Sequence, residues 1–342
     1  MHDPPRAAAA SAVEACHTAG ISVKMITGDH ASTAVAIARS VGLVGESDEP
    51  RLVAGPELAE TPSADLPARI EQTDVFARVT PEQKLRLVGA LQEHHHVVAM
   101  TGDGVNDAPA LRQADIGVAM GHGGTDVARE AADMLLTDDN FASIEAAVEE
   151  GRAVYLNLRK TLAFVLPVIG GASMTILLGA LLGLPLPVTA LQVLWLNMIS
   201  ALTMSVPLAF EPKPAGLMEQ PPRPPERPLL TAGLIRRVLL VSAFNWALIF
   251  LLFVWGERQS GDLAVARTMA VQGLVLAQLV YLVSISQFGK DLLAGARGGW
   301  RRLLRTPVLL AGITAAVLLQ LLFSQTSWMN AFFATAPLGG RE

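Results

Sequence analysis

Asp103 and Asp107 stand four residues apart across a glycine-containing turn, Gly102-Asp-Gly-Val-Asn-Asp107, just after an apolar run at 97–100. That spacing lets both carboxylates face one point at a strand tip. There a hard cation such as Mg2+ is satisfied by one or two carboxylates together with waters and phosphate oxygens. Asn106, between them, carries an amide that can donate to a phosphate or hold an aspartate in place. Thr27, Gly28 and Asp29 make a second tip, with a hydroxyl and backbone N–H groups at a helix start, where anions bind readily. Arg78 and Lys84 would set positive charge against the oxygens of a transition state. Any one of these residues is an ordinary turn former or helix cap. Three such tips in order along one chain point to phosphoryl chemistry.

Competing motifs fit less well. There is no Gly-x4-Gly-Lys-Ser/Thr string, which excludes a P-loop. Gly121-His122-Gly123-Gly124 lacks the spacing of a dinucleotide fingerprint and reads as a flexible turn. His94, His95 and His96 end a predicted helix, where adjacent side chains cannot face one ion, so they read as a solvated turn.

The elements that must position these tips alternate in the manner of an α/β domain. Residues 21–26 are a short β-branched run ending in Thr27-Gly28-Asp29, followed by a helix over 31–41. Val75-Phe76-Ala77 reads as a strand, with Thr80 as N-cap and Pro81 in the first turn of a helix through Leu91. Residues 97–100 give a third strand and 108–113 its helix. Strands at 116–120 and 134–137 surround a helix over 125–132. Apolar strands alternating with helices imply a parallel sheet covered on both faces, with chemistry at the carboxyl ends of the strands.

Composition divides the chain in two. Of its 342 residues 51 % are hydrophobic and 17 % charged, below the roughly 25 % usual in soluble proteins. Residues 1–160 hold 13 Lys/Arg against 24 Asp/Glu, a net −11, while 161–342 hold 13 against 7, a net +6. A lone cysteine, Cys16, excludes an intramolecular disulfide scaffold and a zinc ribbon. Without a basic footprint, no nucleic-acid partner is expected, and the N-terminus lacks the pattern of a signal peptide.

From 161 to 210 there is no Asp, Glu, Lys or Arg, and Leu184-Pro-Leu-Pro187 breaks the run into two stretches of about 20 residues, enough to span a bilayer. Spans are expected at about 161–183, 188–210, 236–255, 268–288 and 307–324, with a tail over 325–342. Ten of the 13 positive charges of this half lie in two loops, at 213–237 and 290–305. Under the positive-inside rule these loops, and residues 1–160 with them, are cytoplasmic, which makes a multi-pass protein of the cell membrane. The Pro-rich stretch from Pro212 to Pro228 reads as a stiff connector.

Met25-Ile-Thr-Gly-Asp-His30, Phe76-Ala-Arg-Val-Thr-Pro-Glu-Gln-Lys84 and Met100-Thr-Gly-Asp-Gly-Val-Asn-Asp-Ala-Pro-Ala-Leu111 closely resemble the phosphorylation-domain motifs of P-type cation-transporting ATPases. Asp3-Pro4-Pro5-Arg6 resembles the stretch that re-enters that domain after the nucleotide-binding insertion. Gln192-Val-Leu-Trp-Leu-Asn197 is similar to the sixth membrane helix of the calcium-pump-like branch. The resemblance implies a haloacid-dehalogenase-like, Rossmann-type parallel sheet over 1–140, a stalk helix over 141–160 and an α-helical membrane bundle. It implies Mg2+ and ATP as cofactors. Asp103 would bind the metal, Asp107 and Asn106 would order the phosphate site, and Lys84 would contact the phosphoryl group. Thr27, Gly28, Asp29 and Arg78 would line the phosphate and nucleotide side.

The family's nucleophile lies in an Asp-Lys-Thr-Gly-Thr signature that does not occur here. The resemblance therefore implies a partner in the remaining N-terminal half, with its actuator and nucleotide-binding domains and first four spans, and a chain inactive by itself. Polar groups within spans are costly there and mark transport sites. Asn197, Ser200 and Thr203 recur every three residues and can share one face, with Gln278 of the fourth span joining them. Pro167 frees a helix carbonyl beside Gly170-Gly171. Ala172 and Ala201 stand where the calcium-pump pattern has carboxylates, and a neutral oxygen cage suits a monovalent cation better than calcium. The expected function is the C-terminal part of an ATP-driven cation pump. The alternative is a catalytically silent membrane partner of a separate N-terminal half.

Overall fold

The structure, a computed structural model, describes residues 7–45, 47–293 and 306–339. The Asp3-Pro4-Pro5-Arg6 stretch and the arginines at 297, 301, 302 and 305 lie outside these. The chain divides into two compact units, residues 1–151 with 215–227, and residues 152–214 with 228–342.

The first unit is the α/β one. Its strands are β1 (Met25–Ile26), β2 (Leu52–Ala54), β3 (Val75–Ala77), β4 (Ala99–Gly102), β5 (Ile116–Met120) and β6 (Met134–Leu136). Its helices are α1 (Ala7–Thr18), α2 (Ala31–Ser40), α3 (Gly55–Glu60), α4 (Leu66–Glu71), α5 (Pro81–Glu93), α6 (Ala108–Gln113) and α7 (Asp126–Ala131). Every strand pairing is parallel. The strands form two three-stranded sheets, in the orders β1-β3-β2 and β4-β5-β6, rather than the single sheet expected. Backbone pairing stops at β1 and at β4, and side chains join the two halves. Ile26 of β1 packs both on the cluster around Phe76 and Leu87 and on the one containing Met100 and Leu111. β3, whose three residues are almost wholly buried, is the centre of its sheet and reads as the continuous apolar run that two covered faces require.

Local chemistry sets the helix that follows β3. Thr80 caps α5 by accepting from the Gln83 amide, the Gln83 side chain reciprocates at the Thr80 amide, and Pro81 occupies the first turn. Burial holds the Lys24 ammonium below its ordinary pKa, and its Nζ donates to the carbonyls of Ile70 and Thr73 at 2.7 Å each, fastening the approach to β1. The Pro-rich stretch is more than a connector. Residues 215–227 belong to this unit, Leu217 is buried, and Pro221 and Pro222 lie against Gly20 just past α1.

The second unit is built of long apolar helices. α8 (Ala142–Leu182) runs unbroken for 41 residues, so the expected stalk and first span are one helix. The segment expected as the second span is α9 (Ala190–Ile199), then a π-helical stretch over Ser200–Ser205, then α10 (Val206–Ala209). α11 (Ala232–Ser260), α12 (Leu263–Ile285), α13 (Gln287–Leu293), α14 (Pro307–Gln325) and α15 (Ser327–Phe333) complete the described elements. Among the described residues, five helical segments, including α8, α11, α12 and α14, are long and apolar enough to cross a membrane. Their shared core contains Phe164, Leu196, Ile199, Leu274 and Phe323, with Trp195 stacked on Phe323 at a centroid distance of 5.5 Å. Gly312 lets α14 approach the π-helical stretch closely, since a Cβ there would collide with the Thr203 carbonyl.

Candidate functional site

The carboxyl ends of β1, β3 and β4 carry the residues the sequence singled out. Thr27 ends β1. Its amide donates to the Phe76 carbonyl and its own carbonyl accepts from the Val79 amide at 3.1 Å, which draws the β1 and β3 tips together. The Thr27 hydroxyl lies 3.1 Å from both the Asp29 amide and Asp29 Oδ2. Arg78 sits just past β3 with φ of 53°, a left-handed conformation that costs a non-glycine residue about 1–3 kcal/mol. Its amide bond to the Asp29 carbonyl at 3.1 Å helps hold that turn, while its side chain is exposed.

Lys84, one turn into α5, places Nζ 2.6 Å from Asp107 Oδ1, and both side chains are largely buried. Asp107 Oδ2 accepts from the Gly104 amide at 3.1 Å. Asp107 therefore orients Lys84 and pins the turn. Asp103 and Asn106, on the same turn, are exposed, and no side-chain bond to either is found among the described residues. Two carboxylates at one tip, the exposed one uncommitted, are the oxygen donors that Mg2+ takes when phosphate and water complete its shell. No cluster of three or more metal-ligating side chains occurs among the described residues, so the tip fits a metal shared with a substrate better than an all-protein cage.

The glycine-rich segment beside this tip is held in place, contrary to the flexible turn expected. The Asp139 carboxylate accepts from the His122 amide at 3.0 Å and the Gly123 amide at 2.7 Å, and these bonds hold its pKa below the ordinary range. The Thr125 amide donates to the Asp103 carbonyl at 2.8 Å, and the Thr125 hydroxyl caps α7. The loop thereby braces the tip that carries Asp103.

Within the second unit, the four transport candidates part company. Ser200 donates to Gln278 Oε1 at 2.7 Å, and both are buried, as is Thr203. Gln278 Nε2 has no hydrogen-bond partner among the described residues. Asn197 is exposed. Asn197 lies on α9, ahead of the π-helical stretch that holds Ser200 and Thr203, and packing buries the latter two alone. The Thr203 hydroxyl turns back to the Ile199 carbonyl at 2.7 Å, and the Ser205 hydroxyl to the Ser200 carbonyl at 3.0 Å. The carbonyl of Ala163, which Pro167 leaves without its helical partner, accepts from the Tyr281 hydroxyl at 2.9 Å.

The sequence reading passed over Asp139, Tyr281 and Glu211. Glu211 was findable: it is the first charge after the uncharged run over 161–210. For Asp139 and Tyr281 the signal is a contact across 16 and 118 residues, which local pattern does not carry.

Comparison with known proteins agrees with both units. Residues 1–115 match the haloacid dehalogenase-like hydrolases, and residues 185–342 match the C-terminus of cation transporting ATPases. The chain is 60 % identical over 342 residues to the cation-transporting ATPase pma1 of Synechocystis, covering 100 % of this chain and 38 % of that protein. It is 51 % identical to the probable cation-transporting ATPase F of Mycobacterium tuberculosis, covering 99 % of this chain and 37 % of the relative. It is 42 % identical over 284 residues to a calcium-transporting ATPase of Bacillus subtilis, covering 82 % and 31 %. The chain thus spans a little over a third of the length of the first two of these relatives. With a haloacid-dehalogenase-like unit followed by the cation-ATPase C-terminal helices, this chain belongs to the P-type cation-transporting ATPases, within which it corresponds to a C-terminal part.

Proposed function

We propose that these 342 residues hold the Mg2+ and phosphate site and the C-terminal membrane helices of an ATP-driven cation pump. The observation that carries this reading is the buried Lys84–Asp107 pair beside an uncommitted Asp103 at one strand tip. Lys84, fixed by Asp107, presents its charge to the oxygens of a phosphoryl group. Thr27, with its hydroxyl and the neighbouring Gly28 amide, meets the same group from the β1 tip. Asp103 and Asp107 would hold Mg2+, which when bound neutralises charge on the phosphate oxygens. Asn106, exposed on the turn, is placed to orient the phosphate, and Arg78 and Asp29 line the nucleotide side.

The aspartate that takes the phosphate belongs to a stretch outside this sequence. Among the described residues β1 pairs only with β3 and β4 only with β5, so each has an open edge. A strand carrying that aspartate would pair with both. In the membrane, Ser200, Thr203 and Gln278 offer neutral oxygens, which suit a monovalent cation. The exposed Asn197 is available to helices that pack on this face.

The test is labelling by ATP. A full-length protein containing this segment forms an acid-stable, hydroxylamine-labile phosphoenzyme that requires Mg2+, and Asp103→Asn abolishes it. Residues 1–342 alone take no label. Phosphoenzyme on the isolated chain, or an unaffected Asp103→Asn, overturns the assignment.

A further inference from the structure

One carboxylate in the second unit serves neither the phosphate tips nor the transport candidates. Glu211 lies two residues beyond α10, and its side chain is 1 % exposed. A carboxylate so buried persists only when its charge and lone pairs are met. Lys160 on α8 donates to Glu211 Oε2 at 2.5 Å, and the backbone amide of Gln287, which opens α13, donates to Oε1 at 2.8 Å. Nearly one turn earlier on α8, Asn157 donates to the carbonyls of Ala209 at 3.2 Å and Glu211 at 2.9 Å. One turn later come the Tyr281 bond to the Ala163 carbonyl and the stacking of Phe164 on Tyr281 at 6.2 Å. Successive turns of α8 are therefore bound to the end of α10 and to the α12–α13 junction.

Stability alone is a weak reason for such a pair. An apolar pair of similar volume usually serves a folded protein as well as a buried ion pair does. What the charged pair adds is direction: a carboxylate gripped from two helices fixes their register. Between Ser200 and Glu211 the chain is helical almost throughout, about 16 Å of backbone at the usual rise.

We propose that Lys160 and Glu211 are positioning residues that make α8 and the segment bearing Ser200 and Thr203 move together, so that displacement of α8 reaches the transport oxygens. This rests on the reading of the chain as part of a cation pump. The pair touches neither phosphate nor transported ion; it couples the two processes.

The experiment uses the full-length protein in sealed vesicles, carrying Lys160→Arg, Glu211→Gln or the apolar double substitution Lys160→Met with Glu211→Leu. Three quantities are read: phosphorylation by inorganic phosphate, ATP hydrolysis, and cations moved per ATP. Phosphorylation by inorganic phosphate reports that the protein is folded and its phosphate site intact. The expected result is near-normal phosphorylation in all three variants, near-normal coupling in Lys160→Arg, and a fall of about tenfold in cations moved per ATP in the other two. An apolar pair that moves cations at the unaltered ratio would show that the contact is only a staple and overturns the proposal. Phosphorylation and transport that decline in equal proportion across the variants overturn it also. Unaltered protein that takes no phosphate from ATP defeats the pump reading and this proposal together, an outcome distinct from the others because there the unaltered protein still pumps.

Discussion

Gly102 and Gly28 sit at the tips of β4 and β1, and alanine should destabilise at the first position and be neutral at the second. An alanine Cβ at Gly102 would lie 2.5 Å from Asp107 Cβ and 3.0 Å from Asp107 Oδ2, whereas ordinary contact begins near 3.4 Å. Asp107 would have to retreat by about 1 Å, and its 2.6 Å bond to Lys84 would not survive that intact. Overpacking of a filled site costs about 1–3 kcal/mol, and weakening a hydrogen bond between charged groups about 1.5–3 kcal/mol. Because both side chains retain a little exposure, the lower part of the summed range applies, and a total of about 2.5–4 kcal/mol is expected. For a unit of this size that lowers the unfolding midpoint by about 5–15 °C. At Gly28 a Cβ would meet nothing within 4 Å, and its φ is not in the left-handed range. Gly28→Ala should leave the midpoint within about 2 °C. The assay is thermal unfolding of the whole chain in detergent, with the first unit followed by proteolysis of its loops. A Gly102→Ala midpoint within about 2 °C of the unaltered chain, or an equal fall in both variants, would refute the packing argument.

Two further outcomes follow from the same structure. Tyr281→Phe strips the Ala163 carbonyl of its donor and should cost about 1–2 kcal/mol, whereas in a Pro167→Ala background the restored helical amide should make the same change nearly neutral; additivity in a double-mutant cycle would show that the tyrosine does not compensate for the proline. The His122 and Gly123 amides hold the Asp139 pKa below its ordinary 3.8, so the folded state binds fewer protons than the unfolded state between the two values. Its contribution is full above the ordinary value and fades as pH falls through the depressed one. Amide exchange at His122 and Gly123 should therefore be protected down to about pH 4 and lose protection below it, and loss beginning above about pH 5 would contradict the assignment.

Much of this protein is local in origin and so legible along the chain. Thr80-Pro81 starts α5 because the cap and the fixed proline φ act within one turn. The absence of charge over 161–210 announces membrane helices because a charged side chain in hydrocarbon is costly wherever the chain goes next. The order of the three tips points to phosphoryl chemistry, since chemistry collects at the carboxyl ends of parallel strands. Other features depend on which distant residues meet. Spacing alone set Asp107 beside Asp103; that Lys84 also meets Asp107, across 23 residues, while Asp103 keeps its carboxylate uncommitted, comes from the fold. A regular helical period put Asn197 with Ser200 and Thr203, whereas packing buries Ser200 and Thr203 and leaves Asn197 exposed. The proline-rich stretch looked like a spacer until packing brought it to α1.

The sequence by itself determined the family, the apolar helices and the kinds of side chain at each strand tip, because motif, hydropathy and capping act over a few neighbouring residues. Only the tertiary structure decided which charges are spoken for. Lys84 with Asp107, Lys160 with Glu211, and Asp139 with the glycine-rich loop are bonds across 23, 51 and 17 residues. A buried charge takes its partner from whatever the fold brings within reach, and that is set by packing rather than by position along the chain.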